Sequence, residues 1–183
     1  MMPESKYTTW LRRIILGLFL IGSPTYLSAT VPLQTVGYVD LERFMGKWYV
    51  IACIPTIFEK NIFNATETYQ LEKDGTISTT FAFRKRGFDG PKKEFHPRGF
   101  VQNRTTNAIW GMQFIWPIKA DYRIIHLDSD YSNTIVGRQK RDYVWIMARQ
   151  PQLSESLYQE MVNRVFEAGY DINRLVRIPQ YWP

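Results

Sequence analysis

Short segments in which apolar and polar residues alternate occupy most of this chain after about residue 45, and turn-forming residues separate them. A period of two places alternate side chains on opposite faces of a strand, and such regular turns are typical of antiparallel sheets rather than of βαβ units. Eight antiparallel strands can close into an up-and-down β-barrel without an exposed edge. We therefore predict an all-β, eight-stranded barrel with strands at 48–54, 64–73, 76–84, 93–102, 107–116, 120–127, 133–139 and 142–149.

Helical segments are predicted on both sides of these strands. Asp40 can cap one helical turn that ends before Gly46, and Gly46 permits the positive φ of a tight entry into the first strand, where Trp48 is buried at once. Residues 154–168 carry apolar side chains at helical spacing behind a serine N-cap, and Gly169 can end this helix. A single α-helix after eight strands is expected to pack against the outside of the barrel.

Residues 1–29 have the pattern of an export signal. A basic segment precedes a nine-residue apolar run, 14–22, which is too short to span a bilayer easily. Ala29 supplies a small residue at the cleavage position. The sequence therefore predicts a signal peptide or a retained N-terminal anchor over 1–29, and one barrel domain over 30–183.

The charge balance and the single cysteine exclude several classes of protein. The net charge is +6, but the leader holds three of the 23 basic and one of the 17 acidic residues, which leaves 20 and 16. This mild excess favours a solvated surface, and the basic residues 84–86 flank a turn without an aromatic stacking platform. We expect no nucleic-acid partner. Cys53 alone cannot form an intramolecular disulfide or a multi-cysteine metal site.

The sequence contains no recognised catalytic or metal-binding signature. Neither His96 nor His126 has a Cys, Asp or Glu partner at metal-ligand spacing, and there is no nucleophile elbow, phosphate-binding glycine loop or dinucleotide fingerprint. We expect no metal, no cofactor and no catalytic residue. Glu67 is the one acid in an otherwise apolar and hydroxyl-rich strand. Two interpretations stay open for it, an inward carboxylate with a raised pKa or an outward surface charge.

Side chains of alternate parity line the inside of such a barrel. Parity predicts a large, apolar and aromatic lining with a few hydroxyl groups, Thr79 among them, which suits an acyl chain better than a sugar or a nucleotide. The predicted ligand-binding residues are Tyr69, Phe81, Phe83, Trp110, Met112, Phe114, Tyr122, Ile124, Tyr143 and Trp145. The alternative is that these residues fill a solid core.

Three ordered motifs resemble those of the lipocalin family. They are Gly46-Lys47-Trp48-Tyr49 in the first strand, Asp130-Tyr131 between two late strands, and Trp145-Ile146-Met147-Ala148-Arg149 in the last strand. The resemblance covers nearly all of residues 31–180. It is strongest to the bacterial outer-membrane lipocalins and the apolipoprotein D-like members, through segments 141–146 and 167–171.

The resemblance implies that Arg149 lies over Trp48 at the closed end of the barrel, next to Gly46, as a structural closure. Close relatives carry an acid and an arginine where this chain has Val50 and Cys53, so its first strand is less polar. Many bacterial members carry a lipidated cysteine at the mature N-terminus, and no cysteine precedes Cys53 here. We expect an exported protein of the periplasm or outer membrane without a lipid anchor.

Three functions remain open. We favour a binding protein that stores or transports a fatty acid, lysophospholipid or similar small lipid in the bacterial envelope, as a monomer or homodimer, and supports membrane maintenance. Its basic loop at 84–86 would attract an anionic head group, and a membrane surface is a further partner. The second function is a lipocalin-type enzyme that acts on a lipid or isoprenoid through Glu67, His126 or Cys53. The third is a shielding or assembly module with a filled barrel.

Overall fold

The computed structural model describes residues 31–57 and 59–182. The predicted leader and its cleavage position lie outside the described residues. Ten antiparallel strands form one sheet, in which the first and ninth strands also pair. The strands are β1 (Gly46–Ile54), β2 (Ile62–Leu71), β3 (Thr76–Lys85), β4 (Lys92–Phe95), β5 (Arg98–Val101), β6 (Ile109–Ile115), β7 (Ile118–Leu127), β8 (Asn133–Gly137), β9 (Val144–Ala148) and β10 (Val176–Arg177).

The ten strands make a closed eight-stranded barrel, which confirms the predicted fold. Strands β4 and β5 both pair with β3 and together form the fourth barrel strand, because Pro97 interrupts the single strand predicted at 93–102. The Thr79 N–H donates to the Pro97 carbonyl at 3.2 Å, so the two halves stay in line. Of these two halves, only β5 pairs with β6 among the described strands. Strand β10 adds two residues to one side of β1.

One helix packs on the outside of the barrel, as predicted. It is α2 (Glu155–Glu167), and the Ser154 hydroxyl accepts from the Leu157 N–H at 3.3 Å at its N-terminus. A short helix, α1 (Leu41–Phe44), precedes β1, and residues 172–174 form a 3₁₀ turn. The buried face of α2 packs against one side of the barrel wall through Tyr158, Met161 and Val165 together with Ile51, Ile135 and Ile146.

Helix α1 and the start of β1 close one end of the barrel. Phe44 of α1 is fully buried and its ring lies 5.1 Å from that of Trp48 and 5.5 Å from that of Trp110, centroid to centroid. The Trp48 indole N–H donates to the Phe44 carbonyl at 2.9 Å. Tyr69 joins the group at 5.6 Å from the Phe44 ring. The closed end is therefore a solid aromatic core, in which the indole N–H of Trp48 has a hydrogen-bond partner.

Arg149, directly after β9, covers this core from outside. Its guanidinium carbon lies 3.8 Å from the centroid of the Trp48 ring, and its nitrogens donate to the carbonyls of Lys47, Phe44 and Met45 at 2.7–3.0 Å. Gly46 has φ +90°, and a Cβ there would lie 3.4 Å from Arg149 Nη1. A single cation thus holds α1 and β1 against the last strand of the barrel.

We predict that Arg149→Ala lowers the free energy of unfolding by about 3 kcal/mol, because a cation–π contact and several charge-assisted hydrogen bonds to carbonyls are lost together. Urea denaturation of the wild type, Arg149→Ala and Arg149→Lys measures the loss. The lysine variant should lie between the other two. Ligand affinity of the folded protein should change less than about threefold, and a loss of affinity without a loss of stability would contradict the structural role.

Candidate functional site

The other end of the barrel opens into a cavity of about 570 Å³, a size that suits a small ligand. The loops at this open end are 55–61, 86–91, 116–117 and 138–143. The wall is mainly aromatic and aliphatic with a few ionisable groups. Its residues are Thr56, Ile57, Glu59, Glu67, Thr79, Phe81, Phe95, His96, Pro97, Met112, Phe114, Ile115, Ala120, Asp121, Tyr122, Arg138, Tyr143 and Trp145.

Six of the ten predicted ligand-binding residues line this cavity. They are Phe81, Met112, Phe114, Tyr122, Tyr143 and Trp145. The other four, Tyr69, Phe83, Trp110 and Ile124, are not part of its wall. Tyr69 and Trp110 belong to the aromatic core of the closed end, with ring centroids 5.7 Å apart, and Ile124 is fully buried. Phe83 packs against Phe81, 5.0 Å between centroids. Parity identified inward side chains, but those near the closed end fill space instead of enclosing it.

Residues from loops and strand ends complete the wall, and parity could not have found them. A register shift in β6 between Met112 and Ile115 brings Ile115 to the cavity beside the predicted Phe114. Glu59 comes from the loop after β1. Its carboxylate accepts from the Trp145 indole N–H at 2.7 Å and from the Thr56 N–H at 2.8 Å. This carboxylate therefore orients the one tryptophan in the cavity wall.

Glu67 faces the inside of the barrel, which resolves its two open interpretations in favour of the inward carboxylate. The Tyr69 hydroxyl donates to it, and the Tyr69 and Tyr122 hydroxyls lie 2.8 Å apart. Burial, with a smaller effect of the Glu59 charge, raises the pKa of Glu67 to about 8. Burial next to Glu67 also raises the pKa of Tyr122 above its usual value. At neutral pH the group therefore consists of an un-ionised carboxyl and two phenols.

The mouth carries a cation, although not one of those predicted to attract a head group. Arg138 is the cation in the cavity wall among the described residues, and its Nη1 lies 3.3 Å from Asp142 Oδ2. Arg84 donates to the Gly90 carbonyl at 2.9 Å and Lys85 to the Lys60 carbonyl at 2.8 Å, so both side chains support their own loop region. The basic loop at 84–86 is not part of the cavity wall.

Of the three residues considered for an enzyme, only Glu67 reaches the cavity. Cys53 is fully buried, and burial raises the pKa of its thiol far above its usual value. His126 lies near the closed end, and its Nε2 is 2.8 Å from Asp128 Oδ1. Within the part of the chain that the structure describes, no cluster of His, Cys, Asp and Glu could hold a metal ion. No helix in that part is long and apolar enough to cross a membrane.

We predict that Glu67 makes stability depend on pH. The carboxyl has a pKa near 4.5 when exposed and about 8 in the fold, so the folded state binds the extra proton between these values. The free energy of unfolding of the wild type should therefore fall as pH rises from about 5 to about 8. Glu67→Gln should remove this slope, as measured by urea denaturation at several pH values. Glu167→Gln, at an exposed position on α2, is the control. Parallel curves for all three proteins would contradict the prediction.

Comparison with known proteins assigns the chain to a family. A family model described as a lipocalin-like domain matches residues 39–180. The chain is 34% identical to temperature-induced lipocalin-1 of Arabidopsis thaliana over 81% of its length and 83% of that protein. It is 28% identical to the outer membrane lipoprotein Blc of Escherichia coli K12, covering 79% of this chain and 81% of that protein.

Solved structures share the architecture at lower identity. Insecticyanin from the tobacco hornworm Manduca sexta superimposes with a TM-score of 0.64 at 15% identity, over 81% of this chain and 90% of that one. Lobster apocrustacyanin A1 superimposes with a TM-score of 0.60 at 14% identity, over 78% and 81%. The matched model, the relatives and the closed barrel with its outer helix agree: this chain is a member of the lipocalin family.

Proposed function

We propose that this lipocalin binds a fatty acid, lysophospholipid or similar small lipid and carries or stores it in a cell envelope. The observation that supports this most is the cavity of about 570 Å³, open at one end and walled by aromatic and aliphatic side chains. The tail of the lipid lies in the cavity and its head group lies at the mouth. A filled barrel, the third of the initial alternatives, is not consistent with a cavity of this size.

Hydrophobic burial alone accounts for useful affinity. Each methylene removed from water contributes about 0.8 kcal/mol, and a long acyl chain therefore offsets the several kcal/mol that association and ordering cost. Micromolar affinity corresponds to about 8 kcal/mol and needs no covalent or metal-assisted step. At the mouth, Arg138 is paired with Asp142, and Asp121 is also part of the wall, so groups of both charges are available to anionic and zwitterionic heads.

We place the protein in the periplasm or at the outer membrane of a bacterial envelope, where a lipid carrier supports membrane maintenance. The export pattern of residues 1–29 supports this location. The E. coli relative is by its name an outer membrane lipoprotein. Cys53 is fully buried in β1, so its thiol is not exposed for attachment of a lipid.

Lipid titration of the purified protein should give saturable quenching of tryptophan fluorescence with lysophospholipid or with fatty acid. Trp145 lines the cavity, so Trp145→Phe should remove most of the change in signal. Ala120→Trp places a large side chain into the cavity and should weaken lipid binding at least about tenfold, because the indole takes up volume that the acyl chain needs. Ala82→Trp, on the face of β3 that points away from the cavity, is the matched control and should bind lipid as the wild type does.

The same titration separates a carrier from an enzyme. A carrier returns the lipid unchanged after prolonged incubation, as judged by mass spectrometry of the extracted lipid. If the wild type converts the lipid and Glu67→Gln does not, an enzyme is favoured. Of the three residues considered for catalysis, Glu67 is the one in the cavity wall. The absence of saturable binding to both lipid classes would overturn the proposed function.

A further inference from the structure

A buried hydroxyl group in the cavity wall lacks a partner. Thr79 on β3 is 2% exposed and lines the cavity, and its Oγ1 forms no hydrogen bond to any described residue. A buried hydroxyl without a hydrogen bond is unfavourable and uncommon in folded proteins. In a wall that is otherwise apolar, the hydroxyl is available to a polar group of the ligand.

A second polar group lies on the neighbouring strand. Strand β2 pairs with β3 so that Tyr69 is opposite Thr79 and Glu67 is opposite Phe81. Glu67 and Thr79 are therefore diagonal neighbours on the inner face, at a distance that one bound group can bridge. Among the described residues the Glu67 carboxyl bonds only to the Tyr69 hydroxyl, through Oε2, which leaves Oε1 for a ligand. The two groups form a small polar patch at one depth of the barrel.

This patch lies at the inner end of the cavity. Glu67 is paired with Trp48 across β1 and β2, and Trp48 belongs to the closed-end core. A lipid that enters tail first therefore brings the far end of its chain to this patch. The mouth, where Arg138 and Asp142 lie, is at the other end of the same cavity.

We propose that Glu67 and Thr79 form a subsite for a hydroxyl group at the inner end of the bound chain, so that the preferred ligand is an ω-hydroxylated fatty acid or a related long-chain alcohol. This inference rests on the proposed lipid-binding function and specifies its ligand class. A hydroxyl fits because it can accept a bond from the carboxyl of Glu67 and donate one to the hydroxyl of Thr79.

Charge favours a neutral group at this position over an ionised one. Burial keeps the carboxyl of Glu67 protonated at neutral pH, with a pKa of about 8, so it can donate a hydrogen bond. A carboxylate head placed here would lose its hydration next to Glu67, Tyr69 and Tyr122, none of which carries a positive charge. The subsite therefore selects against a chain that enters head first.

The test compares pairs of ligands that differ by one hydroxyl. Dodecanoate, tetradecanoate and hexadecanoate are titrated beside their ω-hydroxy derivatives into the wild type, Thr79→Val and the control Thr68→Val, whose side chain lies on the exposed face of β2. Valine keeps the shape of threonine and removes only the hydrogen-bonding group. The protein is used in the form purified from its native envelope, and its stability is measured in parallel.

In the wild type the ω-hydroxy acid of the best-fitting length should bind at least as tightly as the plain acid. Thr79→Val should lower the affinity for the hydroxy acid about tenfold and change the affinity for the plain acid by less than about twofold. Thr68→Val should match the wild type. A wild type that prefers the plain acid at every length, or a Thr79→Val variant that weakens both acids equally, overturns the subsite while the carrier function stands. No binding of either acid overturns both.

An independent observation concerns the outside of the mouth. Residues 114–119, at the β6–β7 hairpin, are all exposed, and Trp116 at its turn is 82% exposed and Ile115 73%. Phe114 and Ile118 are exposed as well. Contiguous apolar surface of this kind marks an interaction site, and tryptophan is favoured at a membrane–water interface.

The charge around this hairpin indicates which partner it contacts. On loops 55–61, 86–91, 116–117 and 138–143, together with β4 and the start of β7, exposed cations outnumber exposed acids by six to two. The cations are Lys60, Arg86, Lys92, Lys93, Lys119 and Lys140, and the acids are Asp89 and Glu94. The apolar surface is also continuous with the ligand site, since Phe114 and Ile115 line the cavity. An apolar tip surrounded by cations fits an anionic phospholipid surface.

We infer that the 114–118 hairpin inserts into an anionic phospholipid surface, so that the mouth of the barrel faces the lipid from which the cavity is loaded. Flotation with vesicles of phosphatidylcholine alone and of phosphatidylcholine with phosphatidylglycerol tests this with the mature protein. The wild type should float with the anionic vesicles and show a blue-shifted tryptophan emission, and both effects should weaken as salt rises.

The double variant Ile115→Ser, Trp116→Ser should reduce vesicle binding at least about tenfold, because the inserted apolar surface is lost. Phe166→Ser, which removes another exposed apolar side chain from α2, should bind as the wild type does. Equal flotation of all three proteins would overturn the inference. Concentration-dependent dimers that the double variant abolishes, without vesicle binding by the wild type, would instead assign the hairpin to a second copy of the chain.

Discussion

The contact between Arg149 and Trp48 is the constraint on which the barrel depends. A guanidinium group 3.8 Å from the centroid of an indole ring, bonded to the carbonyls of Phe44, Met45 and Lys47, fixes the end of β9 to the start of β1. These two strands are the first and last of the barrel, so the pair secures its closure. The positive φ of Gly46 allows the chain to turn under the guanidinium. The aromatic core then lies behind this contact and needs no ligand to be packed.

The two halves of the barrel interior differ in what occupies them. Near Phe44, Trp48 and Trp110 side chains fill the space completely, whereas beyond Tyr122 the same inward positions surround a cavity. Glu67 and Thr79 lie where the two halves meet. A buried hydroxyl without a partner is unfavourable in the empty barrel, and a polar group of the proposed ligand would supply that partner. Closure of the barrel and enclosure of a ligand therefore depend on different sets of residues on the same strands, and Glu67 contributes both to stability and to the proposed subsite.

The sequence predicts the strands well because a period of two and the turn residues are local properties. Eight barrel strands, the outer helix with its serine cap and the short helix before Gly46 were all available from such patterns. A proline at position 97 is evident in the sequence, but the sequence alone does not show what it does to the strand. That depends on the neighbouring β3, whose Thr79 N–H bonds to the Pro97 carbonyl and keeps both halves in line. Parity alone could not separate Trp110, which fills the core, from Met112, which lines the cavity. Glu59 could not be found either, since a loop has no periodicity to reveal which way its side chains point.

The interruption at Pro97 also has a mechanical consequence. Strand β4 pairs with β3 but, among the described strands, has no hydrogen-bonded neighbour on its other side. Strand β5, the half nearer the closed end, pairs with both β3 and β6. The hydrogen-bonded wall is therefore continuous near the closed end of the barrel. Near the open end it has a seam, a stretch without strand pairing, between β4 and the hairpin at Trp116. A seam of this kind can widen without breaking a ladder hydrogen bond. This seam is the part of the barrel wall that can open toward the proposed lipid with no loss of strand pairing.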